Sequence, residues 1–336
     1  MKAVAYRTPG PIEADDALLD IMLDKPAPDG RDLLVQVHAV SVNPVDAKVR
    51  QGTSPEGEWR VLGFDAAGVV AAVGPDVRDF EPGDAVYYAG SIGRPGTNAE
   101  YHLVDERIVG AKPTGSTDAQ AAALPLTAIT AWEMLFDRLD VNRPTPEGGD
   151  LILVIGGAGG VGSIAIQLLR ALTDLTVVAT ASRPDTQDWV RECGAQHVID
   201  HRSLLGPQID ALDLGAPGFV FSTTHTDRHL ADIVRLIAPQ GRFGLIDDPA
   251  GLDALAFKRK AVSLHWEFMF ARPLFLTPDM PAQGRILNEV AALVDAGRIR
   301  STVTEVAGTI DARNLRAAHA KIESGTARGK IVLEGF

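Results

Sequence analysis

The chain has 336 residues, enough for two domains with buried cores, and an ordinary globular composition of 46% hydrophobic and 23% charged residues. Its 32 Lys and Arg against 44 Asp and Glu leave a net charge of −12, which argues against nucleic acid as a main partner. No apolar run reaches the about 18 residues that a membrane span needs. The one cysteine, Cys193, excludes an internal disulfide and any multi-cysteine zinc lobe, so a reducing cytoplasm is the expected compartment.

In chain order, Met1 to Gly10 lacks a signal-peptide apolar core and reads as a first strand. Residues 1 to about 115 are β-rich, with strands expected over 33–42, 68–73 and 85–88 and a turn at Pro82-Gly-Asp84. Thr117 and Gln120 have capping-box spacing and predict a helix start. Pro125 interrupts that helix, and Thr127 to Leu139 continues as helix before a polar loop over 142–150. From Leu151 to about Asp247, strands near 151–156, 176–181, 197–200, 218–223 and 242–247 alternate with helices. This predicts an α/β unit, a parallel sheet covered on both faces. Residues 261–270 read as an edge strand with Trp266, Phe268 and Phe270 on one face, followed by a helix at about 284–296.

The segment from Leu151 to Leu169 is a strand, a glycine turn and a helix. Gly157, Gly159 and Gly162 fit G-x-G-x-x-G. Such glycines let a dinucleotide pyrophosphate approach the backbone at a helix N-terminus, here at Gly157, Ala158, Gly159, Gly160 and Val161. The plainer alternative is a tight strand-to-helix turn. An NAD site usually carries an acid at the end of the next strand. Here that strand ends in Ser182 and Arg183, a hydroxyl and a guanidinium suited to a 2′-phosphate. NADPH is therefore expected over NADH, unless Ser182 and Arg183 only begin the following helix. Ligands lie beyond the carboxyl ends of parallel strands, which also brings in Ser222, Thr223, Thr224, Ile246 and Asp247.

Several segments together resemble the medium-chain dehydrogenase/reductase superfamily, within it the quinone-oxidoreductase-like branch and the zinc-type alcohol dehydrogenase-like proteins. They are Ser41 to Arg50, Gly63 to Val70, Phe80 to Asp84, Asn98 to Tyr101, Ala121 to Trp132, the glycine turn and Gly329 to Leu333. The resemblance covers nearly the whole chain. It implies a GroES-like β-rich catalytic domain at 1–122 with about 271–336, a Rossmann doubly wound domain at 123–270, and a cleft between them. It also implies a homodimer paired through the edge strand near Trp266, with Phe268 to Phe270 near the nicotinamide.

Where zinc-bearing relatives have cysteine and histidine ligands, this chain has Asn43 and Phe64, and the third position falls close to Leu126. Phenylalanine and leucine give a metal no lone pair, while catalytic zinc needs about three protein ligands. No metal is expected. Without that Lewis acid, simple alcohol oxidation is hard. A quinone or enone delocalises the added charge and needs only hydrogen-bond donors.

By resemblance, Asn43 and Pro44 lie beside the nicotinamide, with the Asn43 amide donating to the substrate oxygen. An Asn-Pro turn bonded to its own backbone is the alternative. Thr127 faces the nicotinamide or packs its helix. Lys48 donates a proton or is a solvated cation. Phe64 walls the substrate, and Tyr87 or Tyr88 supplies a phenol. His201 lies near the adenosine phosphate or is structural. Open alternatives are carbonyl or 2-enoyl-thioester reduction in the same fold, and a non-catalytic NADPH-binding sensor.

Overall fold

The computed structural model describes residues 1–143, 145 and 150–336, so part of the loop expected over 142–150 lies outside the described residues. The chain divides into two compact units, Met1–Ile129 with Phe270–Phe336, and Thr130–Met269.

In the first unit, Asp32–Val42 is the organising strand. It pairs antiparallel with Lys330–Glu334, with Ala66–Val73 and with Tyr101–Asp105. The sheet extends from Ala66–Val73 through Ala85–Tyr88 to Val109–Ala111, and from Lys330–Glu334 to Val303–Val306. A smaller sheet joins Leu19–Met22, Lys2–Tyr6 and Arg60–Val61. The strands carry β-branched and small apolar residues, and every side chain from Val40 to Val42 is buried.

The second unit has six parallel strands in the order His197–Ile199, Thr176–Thr180, Leu151–Ile155, Phe219–Ser222, Arg242–Leu245, Ser263–Trp266. Numbered along the chain from Leu151, that order is 3-2-1-4-5-6, the doubly wound arrangement that binds ligands at the carboxyl ends of its strands. Leu151–Ile155 is buried at every position, as a central strand covered on both faces requires. Its core joins Leu153, Val178, Val220, Ile233 and Phe243.

Three local expectations change. The helix capped by Thr117 is short, Asp118–Ala122, and Pro125 opens the next helix, Pro125–Trp132, instead of breaking one. A proline fits a first turn, where its missing N–H has no acceptor to lose. That helix runs on into a wider turn at Glu133–Arg138, where the Leu139 N–H donates to the Met134 carbonyl five residues back. The edge strand stops at Trp266. Trp266 and Phe268 are half-exposed, whereas Phe270 is buried against Phe64, so the three aromatics do not share a face.

Candidate functional site

The glycine turn joins the central strand to the helix Gly160–Leu172. Gly156 has φ +82°, and a Cβ there would stand 2.3 Å from the Thr223 hydroxyl. A Cβ on Gly162 would stand 2.3 Å from the Gly156 carbonyl oxygen and 2.7 Å from Gly157 Cα, so helix and turn touch backbone to backbone. Gly159 caps the helix and is exposed; a Cβ there meets nothing closer than 3.6 Å. Open space above a helix N-terminus suits an anionic group, because the free N–H groups there point outward.

Around it, Ser182 and Arg183 are half-buried at the end of the second strand, with Arg183 Nε 3.4 Å from Asp185. Arg183 also stands at the N-cap of the helix Pro184–Glu192, as the plainer alternative expected. His201 is bonded through Nδ1 to the Thr180 hydroxyl at 3.1 Å, and burial pushes its ring below the usual histidine range. Ser222 is buried and accepts from the Thr226 hydroxyl; Thr223 donates to the Ile155 carbonyl at 2.9 Å. Asp247 holds the Thr226 N–H at 2.9 Å, which ties down the helix Thr226–Leu236, and Ile246 beside it is half-buried.

In the first unit, Asn43, one of the three positions compared above with zinc ligands, belongs to a buried polar network. Asp65 Oδ2 accepts from Ser41 Oγ at 2.7 Å, from Asn43 Nδ2 at 2.7 Å and from Lys330 Nζ at 3.1 Å. Asp65 Oδ1 accepts the Leu126 N–H at 2.7 Å. Lys330 Nζ also donates to Asn43 Oδ1 and to the Val42 carbonyl, so its three N–H groups have three acceptors. Asp46 accepts the N–H of Asn43 at 2.8 Å and of Gly63 at 2.9 Å. Burial pushes the Asp46 carboxyl up to about 7, against those two N–H groups and the Lys330 charge.

This geometry revises several expectations. The Asn43 amide neither points at open space nor bonds only its own turn: its Nδ2 bonds Asp65 and lies 3.5 Å from the Ser41 carbonyl, and its Oδ1 is held by Lys330. The Thr127 hydroxyl donates to the Leu124 carbonyl at 3.1 Å. Tyr87 and Tyr88 are both fully buried. Tyr87 donates to the Leu287 carbonyl and Tyr88 to His102 Nδ1 at 3.1 Å, so neither phenol meets an opening. Phe64 is buried edge-on to Phe270 with ring centroids 5.1 Å apart. Lys48 and Pro44 are exposed on the helix Pro44–Gly52. Sequence reasoning gave no role to Asp65, Lys330, Ser41 or Asp46. The available signal was that all four lie in segments carrying the resemblance, Ser41 to Arg50, Gly63 to Val70 and Gly329 to Leu333.

The zinc named in the relatives' descriptions does not fit these residues. A phenyl ring, a leucine and an amide bonded at both ends are no ligand set. Among the described residues, no group of three or more His, Cys, Asp or Glu is placed to hold a metal.

Two family models match the chain: the alcohol dehydrogenase GroES-like domain over residues 29–114 and the zinc-binding dehydrogenase family over residues 193–333. A zinc-type alcohol dehydrogenase-like protein of Staphylococcus aureus is 40% identical over 99% of both chains. The human mitochondrial NAD(P)H oxidoreductase RTN4IP1 is 32% identical over 90% of this chain and 81% of its own. A solved chain from Rhizobium etli, described as a zinc-dependent alcohol dehydrogenase protein, has 65% identity and a TM-score of 0.98 over 100% of this chain and 98% of that one. An Escherichia coli quinone oxidoreductase solved with NADPH shares the fold, with a TM-score of 0.84 at 21% identity over 99% of this chain and 100% of that one. The chain is an oxidoreductase of the medium-chain dehydrogenase/reductase superfamily and belongs with its zinc-type alcohol dehydrogenase-like proteins.

Proposed function

We propose that the protein is a zinc-independent, NADPH-dependent oxidoreductase that reduces a quinone or an α,β-unsaturated carbonyl. The observation that carries this reading is that Asn43, Phe64 and Leu126 stand where ligands are missing, with the Asn43 amide tied at both ends to Asp65 and Lys330. NADPH, when bound, supplies the hydride. Gly157, Ala158, Gly159, Gly160 and Val161 offer the helix N-terminus to its pyrophosphate. Arg183, Ser182 and His201 take the 2′-phosphate in this reading; no acid stands at the end of that strand to hold a ribose hydroxyl instead. Thr127, Asn43, Pro44 and Phe268 are proposed for the nicotinamide side. The Lys330 charge is matched by Asp65, and Asn43, Phe64 and Leu126 offer no metal site to act as a Lewis acid, which favours a substrate that spreads its developing negative charge over an enolate or quinol.

One observation favours a second reading, a non-catalytic NADPH sensor. The Asn43 amide, the Thr127 hydroxyl and the Tyr88 phenol are all bonded inside the protein. In the catalytic reading the proton therefore comes from solvent or Lys48. NADPH oxidation against ortho-quinones, an alkyl enone and crotonyl-CoA, with NADH in parallel, separates the two. Quinone or enone turnover with NADPH preferred is expected. Tight NADPH binding without turnover of any acceptor supports the sensor.

We further propose a cytoplasmic homodimer. Ser263–Trp266 pairs on one side only among the described residues, and Leu255, Trp266 and Phe268 are exposed by 71%, 51% and 48%. Sedimentation giving a monomer at micromolar concentration would remove this.

A further inference from the structure

The carboxyl ends of three strands of the parallel sheet carry more basic groups than a pyrophosphate needs. The strand Thr176–Thr180 leads to Arg183, His197–Ile199 to His201 and Arg202, and Phe219–Ser222 to His225. His225 is exposed, in the left-handed conformation at φ 51°, and its Nδ1 lies 2.8 Å from the Thr224 hydroxyl. His229, one turn into the next helix, has its ring 6.4 Å from that of His201.

The surrounding charges are mostly positive. Besides burial, His225, Arg202 and Arg183 each push His201 away from its charged form, and Asp200 opposes them. Asp200 is already held by Arg202 at 2.6 Å. His229 feels His201, His225 and Arg228, with Asp232 in opposition. Asp185 lies beside Arg183, and Asp247 is bonded to Thr226.

Thr180 holds the His201 ring in place. Its Oγ1 accepts the Gly156 N–H at 3.0 Å and lies 3.1 Å from His201 Nδ1. A hydroxyl can give a hydrogen to Nδ1 or take one from it, so this contact serves the neutral and the protonated ring, and in the protonated ring Nε2 is a donor.

We propose that His201 and His225 are proton-linked donors for the 2′-phosphate of NADPH, taking up protons from solvent when that phosphate binds beside Arg183. This rests on the NADPH reading above. A dianion among these groups reverses the local field: charges that repelled a proton on His201 are now outweighed by one that attracts it. NADH has a hydroxyl at the same place and causes no such uptake. The complex with NADPH then binds more protons than the free protein, so preference for the phosphorylated cofactor falls as pH rises.

Calorimetry of NADP+ and NAD+ binding at pH 7.5, in two buffers of different ionisation heat, measures the uptake. A phosphate monoester loses its second proton near about pH 6, so protons counted at pH 7.5 belong to the protein. Net uptake with NADP+ and none with NAD+ is expected. The NADP+ to NAD+ affinity ratio should fall several-fold from pH 6.5 to 8.5. Because the ligand's own titration cancels between proteins, the fall should be smaller in His201→Gln and in His225→Gln than in the wild type. NAD+ affinity reports that each variant keeps an intact site. A clear NADP+ preference with no proton uptake and the same pH slope in all three proteins overturns the proposal alone. No NADP+ preference at any pH overturns the NADPH reading and the proposal together.

Discussion

Asn43 has both ends of its amide bonded inside the protein, and this shapes the chemistry around it. Lys330 and Asp65 are 3% and 0% exposed and lie 3.1 Å apart, a buried pair with its hydrogen bonds made inside the protein. Breaking such a pair costs about 3–5 kcal/mol, mostly by leaving one charge buried and alone. Lys330→Met should lose stability on that scale in denaturant melts. Adding Asp65→Asn should then cost less than Asp65→Asn does alone; additive effects would show that the pair is not coupled. At the cofactor, Arg183→Glu should weaken NADPH binding at least tenfold more than NADH binding. An unchanged preference would take the phosphate away from Arg183. These residues differed in legibility. Arg183 follows its strand directly, so its place could be read locally. Asp65 and Lys330 are separated by 265 positions and meet through strand pairing, which no local periodicity encodes.

The glycine turn is the element whose sequence was most explicit, and its glycines do different work. Gly162→Ala drives a Cβ into the Gly156 carbonyl and the Gly157 backbone, neither of which is a flexible side chain. It should lower stability by about 1–3 kcal/mol. Gly159→Ala meets open space, so it should leave the melting temperature nearly unchanged while weakening dinucleotide binding. Equal stability of the two variants would contradict this division. The central strands were legible because burial on both faces makes them continuous apolar runs. The edge strand was misread because its aromatic spacing continues past its partner. The Arg242–Leu245 strand ends opposite Trp266, and the Glu267 N–H makes a last bond to the Leu245 carbonyl. Beyond that point Phe270 turns to Phe64.

Across the whole molecule, buried histidines set the response to acid. His102 donates from Nε2 to the Pro95 carbonyl and accepts at Nδ1 from Tyr88, a fully bonded neutral ring, and burial pushes it down to about 4. His319 is completely buried with neither ring nitrogen bonded, and burial with the nearby Arg50 charge pushes it down to about 3. For both rings the unfolded chain binds the proton first. Their contribution is present above about 6.5 and is lost as pH falls towards 4 and 3. Asp46 works the other way: raised to about 7, it binds a proton in the fold that the unfolded chain gives up above about 4, so its contribution declines as pH rises across that range. Two histidines outweigh one carboxyl, and the melting temperature should fall between pH 6.5 and 4.5. His319→Leu should be neutral or stabilising at pH 7, since it removes buried polar atoms that have no bond to lose, and should flatten the acid limb. A melting temperature that rises on acidification, or a strongly destabilised His319→Leu, would contradict this.

The central claim is hydride transfer from NADPH to a conjugated acceptor without zinc. The most direct test is quinone-dependent NADPH oxidation by the full-length protein, assayed before and after exhaustive chelation, with the zinc content of both samples measured. The same turnover in both, with well under one zinc per chain, is the predicted result. Stoichiometric zinc in the untreated protein, together with activity that disappears on chelation and returns when zinc is added back, would contradict it.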